Sequence, residues 1–327
     1  MIMKLMSNNQ IMKASFKYTL VILTAIVSVI SCKKAEENKS LARFACKIMT
    51  KVNDSAWEAG DSVGISGISG NRTYSNLCYT TPEGSSEDFS PTGEAIYYLD
   101  SDPVTFTAYY PWKAELIENQ QFGFSVKKQS EMKAFDFLWA EAVGKKEDTN
   151  PVSFIFSHKM SQLVITIKGV NGAEYDLVSR TVCGLSGIST EGSFDRQTGK
   201  VSTAEAPSET LIFINNTEKP EYNTSVIKEN KKDNSISYTT ILLPQEFSEA
   251  NPMTFQVDVP IFQDGTPVHY NVPIDLSQIQ GNDGKNALQG VYQYDIILKI
   301  SNKSVTTTVT DIIPWIDSEE SSTEATM

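Results

Sequence analysis

The residue with the most definite chemistry is Cys32. Lys13 and Lys17 lead into an uncharged thirteen-residue stretch, Tyr18 to Ile30, which runs through Ser31 to Cys32 and then to Lys33, Lys34, Ala35, Glu36 and Glu37. An apolar run of this length is too short to cross a bilayer, for which ~20 residues are needed, and suits the core of an export signal. A small residue followed by a thiol is the arrangement at which a cysteine receives diacylglycerol before the peptide is cut in front of it. Residues 1–31 therefore read as a lipoprotein signal peptide, 32–40 as a tether, and Cys32 as the lipidation site carrying palmitate-type chains. Two or three acyl chains, at ~0.8 kcal/mol per buried CH₂, anchor a protein without its spanning the membrane.

Little else in the sequence has catalytic spacing. The two histidines, His158 and His269, stand in unrelated contexts, and neither belongs to an HExxH or HxH pattern that would place two metal ligands together. His158, in an apolar run between Ser157 and Ser161, reads as a core or strand-end residue. Gly64 to Gly67 and Gly184 to Ile188 lack the full nucleophile-elbow pattern, and Ser125 to Lys128 and Ser225 to Lys228 match SxxK with no companion motif. No phosphate-cradling glycine loop is present. Among the abundant Asp and Glu, nothing in the spacing singles out a pair for glycoside hydrolysis. The reading is a non-enzyme with no cofactor and no metal.

A net charge of −12 argues against electrostatic nucleic-acid binding, which needs a surplus of Lys and Arg on one face. Besides Cys32 the thiols are Cys46, Cys78 and Cys183, without CxxC spacing; they read as small buried hydrophobes, although an exported protein could join two of them in a disulfide.

Thiols and aromatics must be held by strands, because the hydrophobic period is two almost throughout. Phe44, Cys46 and Ile48 alternate with polar neighbours, as do Val104, Phe106, Ala108 and Tyr110, then Leu163, Ile165 and Ile167, then Phe255, Val257 and Val259. The pattern returns in Tyr292 to Ile300 and in Val305, Thr307 and Val309. Turn signals at 67–71, 82–86, 169–172, 195–199, 264–267 and 281–284 separate the runs, which predicts an all-β chain of sandwich type. The charged stretch 144–150, closed by Pro151, reads as a linker, giving sandwich domains over 41–150 and 151–316. Residues 203–209 and 228–234 read as long loops, and the acidic, Ser/Thr-rich 317–327 as a disordered tail. Trp57, Trp112, Trp139 and Trp315 read as core or strand-end aromatics.

Several segments in order resemble the fimbrillin family of surface lipoproteins, whose polymerising members build type V pili. Trp57 to Ile65 is similar to its W-x-x-G-D-x-(I/V)-G-(I/V) strand entry, and Val104 to Pro111 to its F-x-A-Y-Y-P. Asp136 to Ala140 and Val152 to Leu163 resemble D-x-L-x-A and F-x-H-x-(L/M)-S-x-L, and Leu288 to Tyr294 with Ile313 to Trp315 resemble the closing pattern. The Lys-Lys-Ala-Glu-Glu cluster after Cys32 resembles the surface-export signal of Bacteroides-type lipoproteins.

The resemblance implies two tandem transthyretin-like Greek-key β-sandwich domains, a lipid anchor in the outer membrane with surface exposure, and partners among other fimbrial subunits. It implies no catalysis. In the polymerising members an Arg-specific protease removes an N-terminal strand and opens a groove for a neighbour's strand. The early arginines here are Arg43 and Arg72. Cleavage at Arg43, the candidate processing site, would release mostly charged tether, and cleavage at Arg72 would discard Trp57 to Ile65, so an anchor, tip or accessory role that keeps the lipid fits as well as a shaft role or better. The segment from Val305 through Thr307 and Val309 to Ile313 is the candidate donor strand, with completion of its own sandwich as the alternative. A monomeric adhesin that binds host or bacterial surface glycans or proteins is a second reading, and a carboxylate-based hydrolase a third.

Overall fold

The computed structural model describes residues 40–49, 57–82, 84, 87–114, 120–204, 209–213, 226–260, 266–280, 284–301 and 303–315. The period-two runs are strands, and the chain is all-β. The first ten strands are β1 (Ser40–Leu41), β2 (Phe44–Ile48), β3 (Ser62–Ser69), β4 (Arg72–Thr80), β5 (Asp88–Pro91), β6 (Tyr97–Tyr98), β7 (Val104–Tyr110), β8 (Gln121–Ser125), β9 (Leu138–Gly144) and β10 (Val152–His158). The next seven are β11 (Ser161–Gly169), β12 (Val182–Ile188), β13 (Glu191–Asp195), β14 (Val201–Thr203), β15 (Glu209–Phe213), β16 (Val226–Asn230) and β17 (Ser235–Leu242). The last are β18 (Gln245–Glu246), β19 (Thr254–Val259), β20 (Val268–Pro273), β21 (Ala287–Leu288), β22 (Tyr292–Ile300) and β23 (Val305–Pro314); a short α-helix, α1 (Tyr175–Arg180), follows β11.

Seven strands close into a barrel in the order β10-β2-β5-β4-β3-β7-β9. Its core is rich in rings: Phe44 meets Tyr79 and Phe106 edge-on, each at 5.1 Å, and Trp57 meets Phe89 and Phe156 in the same way. The expected boundary near 150 falls in the turn between β9 and β10, two strands of this same barrel, so 144–150 is a hairpin connection and not a linker. β10 belongs with the first unit because Val152 to Phe156 pair in parallel with Phe44 to Ile48, more than a hundred residues earlier. The last residue of the barrel core is Phe156; from Met160 onward the buried apolar residues belong to the second core, to which Tyr109, Val126, Met132, Phe135 and Phe137 also contribute.

The second unit is a sandwich. A five-stranded sheet, β16-β17-β11-β22-β23, supplies Ile165, Ile236 and Ile296 to a core completed by Leu185, Phe255 and Val257 of a four-stranded sheet, β15-β12-β19-β20. The segment 228–234 is not a long loop: it holds the end of β16, one 3-10 turn and an Asn234 in the left-handed region before β17.

A three-stranded sheet, β14-β13-β8, joins the units, with β8 pairing to β13 from Glu191↔Ser125 to Asp195↔Gln121. This pairing gathers Phe122, Phe124, Phe137, Phe194 and Tyr109 into one aromatic cluster, in which Phe137 and Phe194 stack at 4.5 Å.

Candidate functional site: the edge strand, the junction and the chain entry

Cys32 lies outside the described residues. Cys46, Cys78 and Cys183 carry free thiols; the first and third are fully buried, and burial pushes both well above the usual thiol range, while Cys78 is only half-buried. Cys46 and Cys183 are thus neutral packing groups.

Arg43 lies between β1 and β2, and its backbone is held on both sides. Ala42 N–H donates to Ile96 O at 2.9 Å, Val152 N–H donates to Arg43 O at 2.8 Å, and the Arg43 guanidinium donates to Thr149 O. Arg72 opens β4, forms an ion pair with Glu94 and covers the ring of Tyr74. β1 is a two-residue strand on β6, and β2 is flanked by β10 and β5.

β23 is an outer edge of the five-stranded sheet and pairs along its length with β22 of its own chain. Val305, Thr307 and Val309 face Ile300, Leu298 and Ile296, the core-facing residues of β22. A bulge then inserts Thr310, so that Ile312 comes opposite the core residue Tyr294 and Asp311 comes opposite Asp295. Unbroken alternation would have sent Asp311 toward the core; the extra residue turns its charge outward. Burial raises the carboxyl pKa of Asp295 and the facing Asp311 adds to it, against a 2.8 Å bond from Gln293 Nε2. Ile313, next in the strand, is exposed.

At the end of β23 a side chain of the sandwich meets the barrel. Trp315 lies flat on the imidazole of His158 at 3.8 Å, and His158 Nδ1 meets Asp136 Oδ1 at 2.8 Å. Three family-like segments, far apart in sequence, therefore meet at one point. His158 Nε2 is buried without a hydrogen-bond partner. The turn beneath requires Gly290, since a Cβ there would lie 2.7 Å from Lys159 O. Also between the units, Arg196 is buried, with Nη1 donating to Ser66 Oγ at 3.0 Å and Nη2 to Ser75 Oγ at 2.9 Å; desolvation lowers its pKa. Trp139 Nε1 donates to Arg196 O, and Gly199, at φ +66°, leaves room for the Trp139 ring.

The four tryptophans thus act as strand-end and core aromatics. Trp57 Nε1 donates to Cys46 O at 2.7 Å, and Trp112 Nε1 to Asn76 O at 3.2 Å. Gly64 to Gly67 lies inside β3 and Gly184 to Ile188 inside β12, not at strand-to-helix turns. His269 pairs with Asp258, its cross-strand neighbour. Among the described residues no three His, Cys, Asp or Glu side chains are grouped to hold a metal ion, and no helix is long and apolar enough to cross a membrane.

An aromatic-filled barrel welded to an open-edged sandwich is the class of fold that these ladders define. The chain matches the fimbrillin-like family model over residues 50–315 and belongs to that family. A curated relative, "Putative fimbrium subunit Fim1C" of Bacteroides uniformis, is 34% identical over 171 residues, which cover 50% of this chain and 56% of the relative. The match thus spans little more than half of that relative's length. The fold is similar to that of a "putative cell adhesion protein" from Bacteroides uniformis, with a TM-score of 0.63 and 22% identity over 86% of this chain and 100% of that one. A protein of the same description from Bacteroides ovatus gives a TM-score of 0.63 and 20% identity, over 85% and 98% of the two chains.

Proposed function

We propose that this chain is a non-catalytic, lipid-anchored subunit of surface fimbriae that keeps its N-terminal segment and serves as an anchor, tip or accessory component. Cys32 carries the acyl anchor in the outer membrane. Other fimbrial subunits are its partners through backbone pairing at a sheet edge, and its two units are variants of the tandem transthyretin-like design. The observation that carries this reading is the outer edge of β23, which among the described residues pairs with no strand on its far side, where Val309 N–H is met by Gln278 Oε1 at 3.0 Å and the strand runs on into exposed Ile312 and Ile313, a template for strand addition. The setting of Arg43 favours retention of the N-terminus, because a protease must pull β1 and Ala42 from the barrel end to reach that bond.

The test is fractionation of cells making wild-type or Cys32→Ala protein, with mass spectrometry of the mature N-terminus and immunogold imaging of the surface. The expected result is an acylated N-terminal Cys32, label on fibres or at their bases, and release of the variant from membranes. A surface protein that never co-purifies with fimbrial subunits and binds glycans as a monomer would support the adhesin reading instead.

A further inference from the structure

Of the large apolar side chains exposed among the described residues, the three most exposed are Ile68 at 63%, Val143 at 59% and Ile155 at 56%, and all three lie on the barrel. Two of them share a row. Gly67 of β3 pairs with Phe106 of β7, which sets Ile68 beside Thr105, and Thr105 pairs with Val143 of β9. Ile68, Thr105 and Val143 thus form an outward-facing line across three adjacent strands, all exposed.

The line sits at one end of the barrel, and the N-terminal chain enters at that end. β1 pairs with β6 through Ser40↔Tyr98 and Leu41↔Tyr97; Leu99 N–H then donates to Ser69 Oγ at 2.9 Å, beside Ile68, and the Tyr98 hydroxyl occupies the space a side chain on Gly144 would take, beside Val143. Leu41, itself 45% exposed, belongs to the same end. Seven residues, 33–39, separate Cys32 from Ser40. Fully extended, the eight steps reach at most about 29 Å, at ~3.6 Å each. A chain anchored at Cys32 therefore holds this end of the barrel within one small-domain diameter of the lipid, and isolated exposed apolar side chains, ordinary on any surface, become a contact when the surface facing them is a membrane.

We propose that the barrel end bearing Leu41, Ile68 and Val143 rests on the lipid surface, so that the barrel is a pedestal and the sandwich with its open edge points away. The proposal rests on lipidation of Cys32. Charges of both signs surround the row, with Lys145 and Lys146 beside Glu147 and Asp148, and Asp100 and Asp102 on the next turn. The contact is accordingly apolar and indifferent to lipid charge and to salt.

The test uses the full acylated chain with Cys78→Ser, to leave only buried native thiols in the folded part. An environment-sensitive fluorophore is attached at Ile68→Cys, at Val143→Cys or, as a control on β16 of the other unit, at Ile227→Cys. Each is reconstituted into phosphatidylethanolamine–phosphatidylglycerol vesicles containing acyl-brominated lipid. Quenching several-fold stronger at 68 and 143 than at 227, unchanged between 0.15 M and ~1 M salt, is expected. Equal quenching at all three sites in an acylated, vesicle-bound chain overturns the pedestal while leaving the anchor intact. A blue shift at 68 and 143 without quenching would mean that a second protein copy covers the row, and also overturns it. If mass spectrometry finds no acyl group on Cys32, the anchor reading fails, and this proposal with it.

Discussion

The two units solve the same problem in opposite ways. The barrel returns its ladder to its starting strand and fills the interior with rings, Phe44, Tyr79, Phe106, Phe154 and Phe156 among them. The sandwich packs branched aliphatics such as Ile165, Leu185, Val257 and Ile296 between two sheets and, among the described residues, leaves β16, β23, β15 and β20 as edges. A closed ladder offers no template for another strand, whereas each edge of an open sheet does. The difference bears on the proposed role: association through backbone pairing, if this chain uses it, has its templates in the second unit, whereas the first contributes shape, rigidity and a fixed chain entry.

The comparison is sharpest if the units unfold together despite their different construction. β8 crosses from one to the other, and Phe137, a residue of the barrel half of the sequence, stacks on Phe194 of the other half inside the larger core. Phe44→Ala should produce the largest loss, ~3–5 kcal/mol, by removing a ring in contact with Tyr79, Phe106 and Phe154. Denaturant unfolding followed by tryptophan fluorescence and by far-ultraviolet circular dichroism should still show one coincident transition at a lower midpoint. A biphasic curve in which only half of the strand signal shifts would show that the units are thermodynamically separate.

Arg196→Met tests the weld itself. The substitution keeps apolar volume but removes two charged hydrogen bonds to Ser66 and Ser75, and should cost ~1.5–3 kcal/mol. Unlike Phe44→Ala, it acts on the junction and not on one core, so the expected signature is loss of cooperativity: the two probes should separate. Unfolding that stays coincident and merely shifts would leave the aromatic cluster as the sufficient weld and reduce Arg196 to an ordinary buried contact.

Why these features escaped the sequence follows from where their causes lie. Half-buried strands announce themselves locally, so the alternation of Phe44 to Ile48, Val104 to Tyr110 and Tyr292 to Ile300 was legible as β2, β7 and β22. The assignment of β10 to the barrel was not, because a parallel pairing with β2 leaves no local mark and the charged stretch before Pro151 looks the same in a hairpin turn as in a linker. The helix Tyr175–Arg180 is too short to show a helical period. Among the candidate site residues, the alternation of Val305, Thr307 and Val309 marks a strand, but the bulge at Thr310 is hidden, since alternation counts residues and a bulge changes the count. His158 read as a strand-end residue. That Asp136 and Trp315 are its partners depends on three distant segments converging, which no single motif encodes.

The smallest expected effect bears on the edge that distinguishes the sandwich. Asp295 and Asp311 face one another across β22 and β23 with no ion-pair partner for either among the described residues, a like-charge cross-strand pair that weakens the outer strand. Asp295→Asn keeps an acceptor for Gln293 and removes one charge, and should stabilise the chain at neutral pH by ~0.2–1 kcal/mol. The sign of the pH dependence follows from the raised carboxyl: the folded state binds this proton more readily than the unfolded state does. Asp295 therefore opposes folding above its folded pKa, and the penalty fades as the pH falls through that value toward the ordinary carboxylate range, below which it is gone. The gain from Asp295→Asn should accordingly be full at pH 7 and shrink toward nothing in acid, with slower amide exchange along β23 in the variant at pH 7. A gain that persisted undiminished at pH 3 would assign the stabilisation to packing or hydrogen bonding of the amide, and the edge would have to be considered intact without any electrostatic weak point.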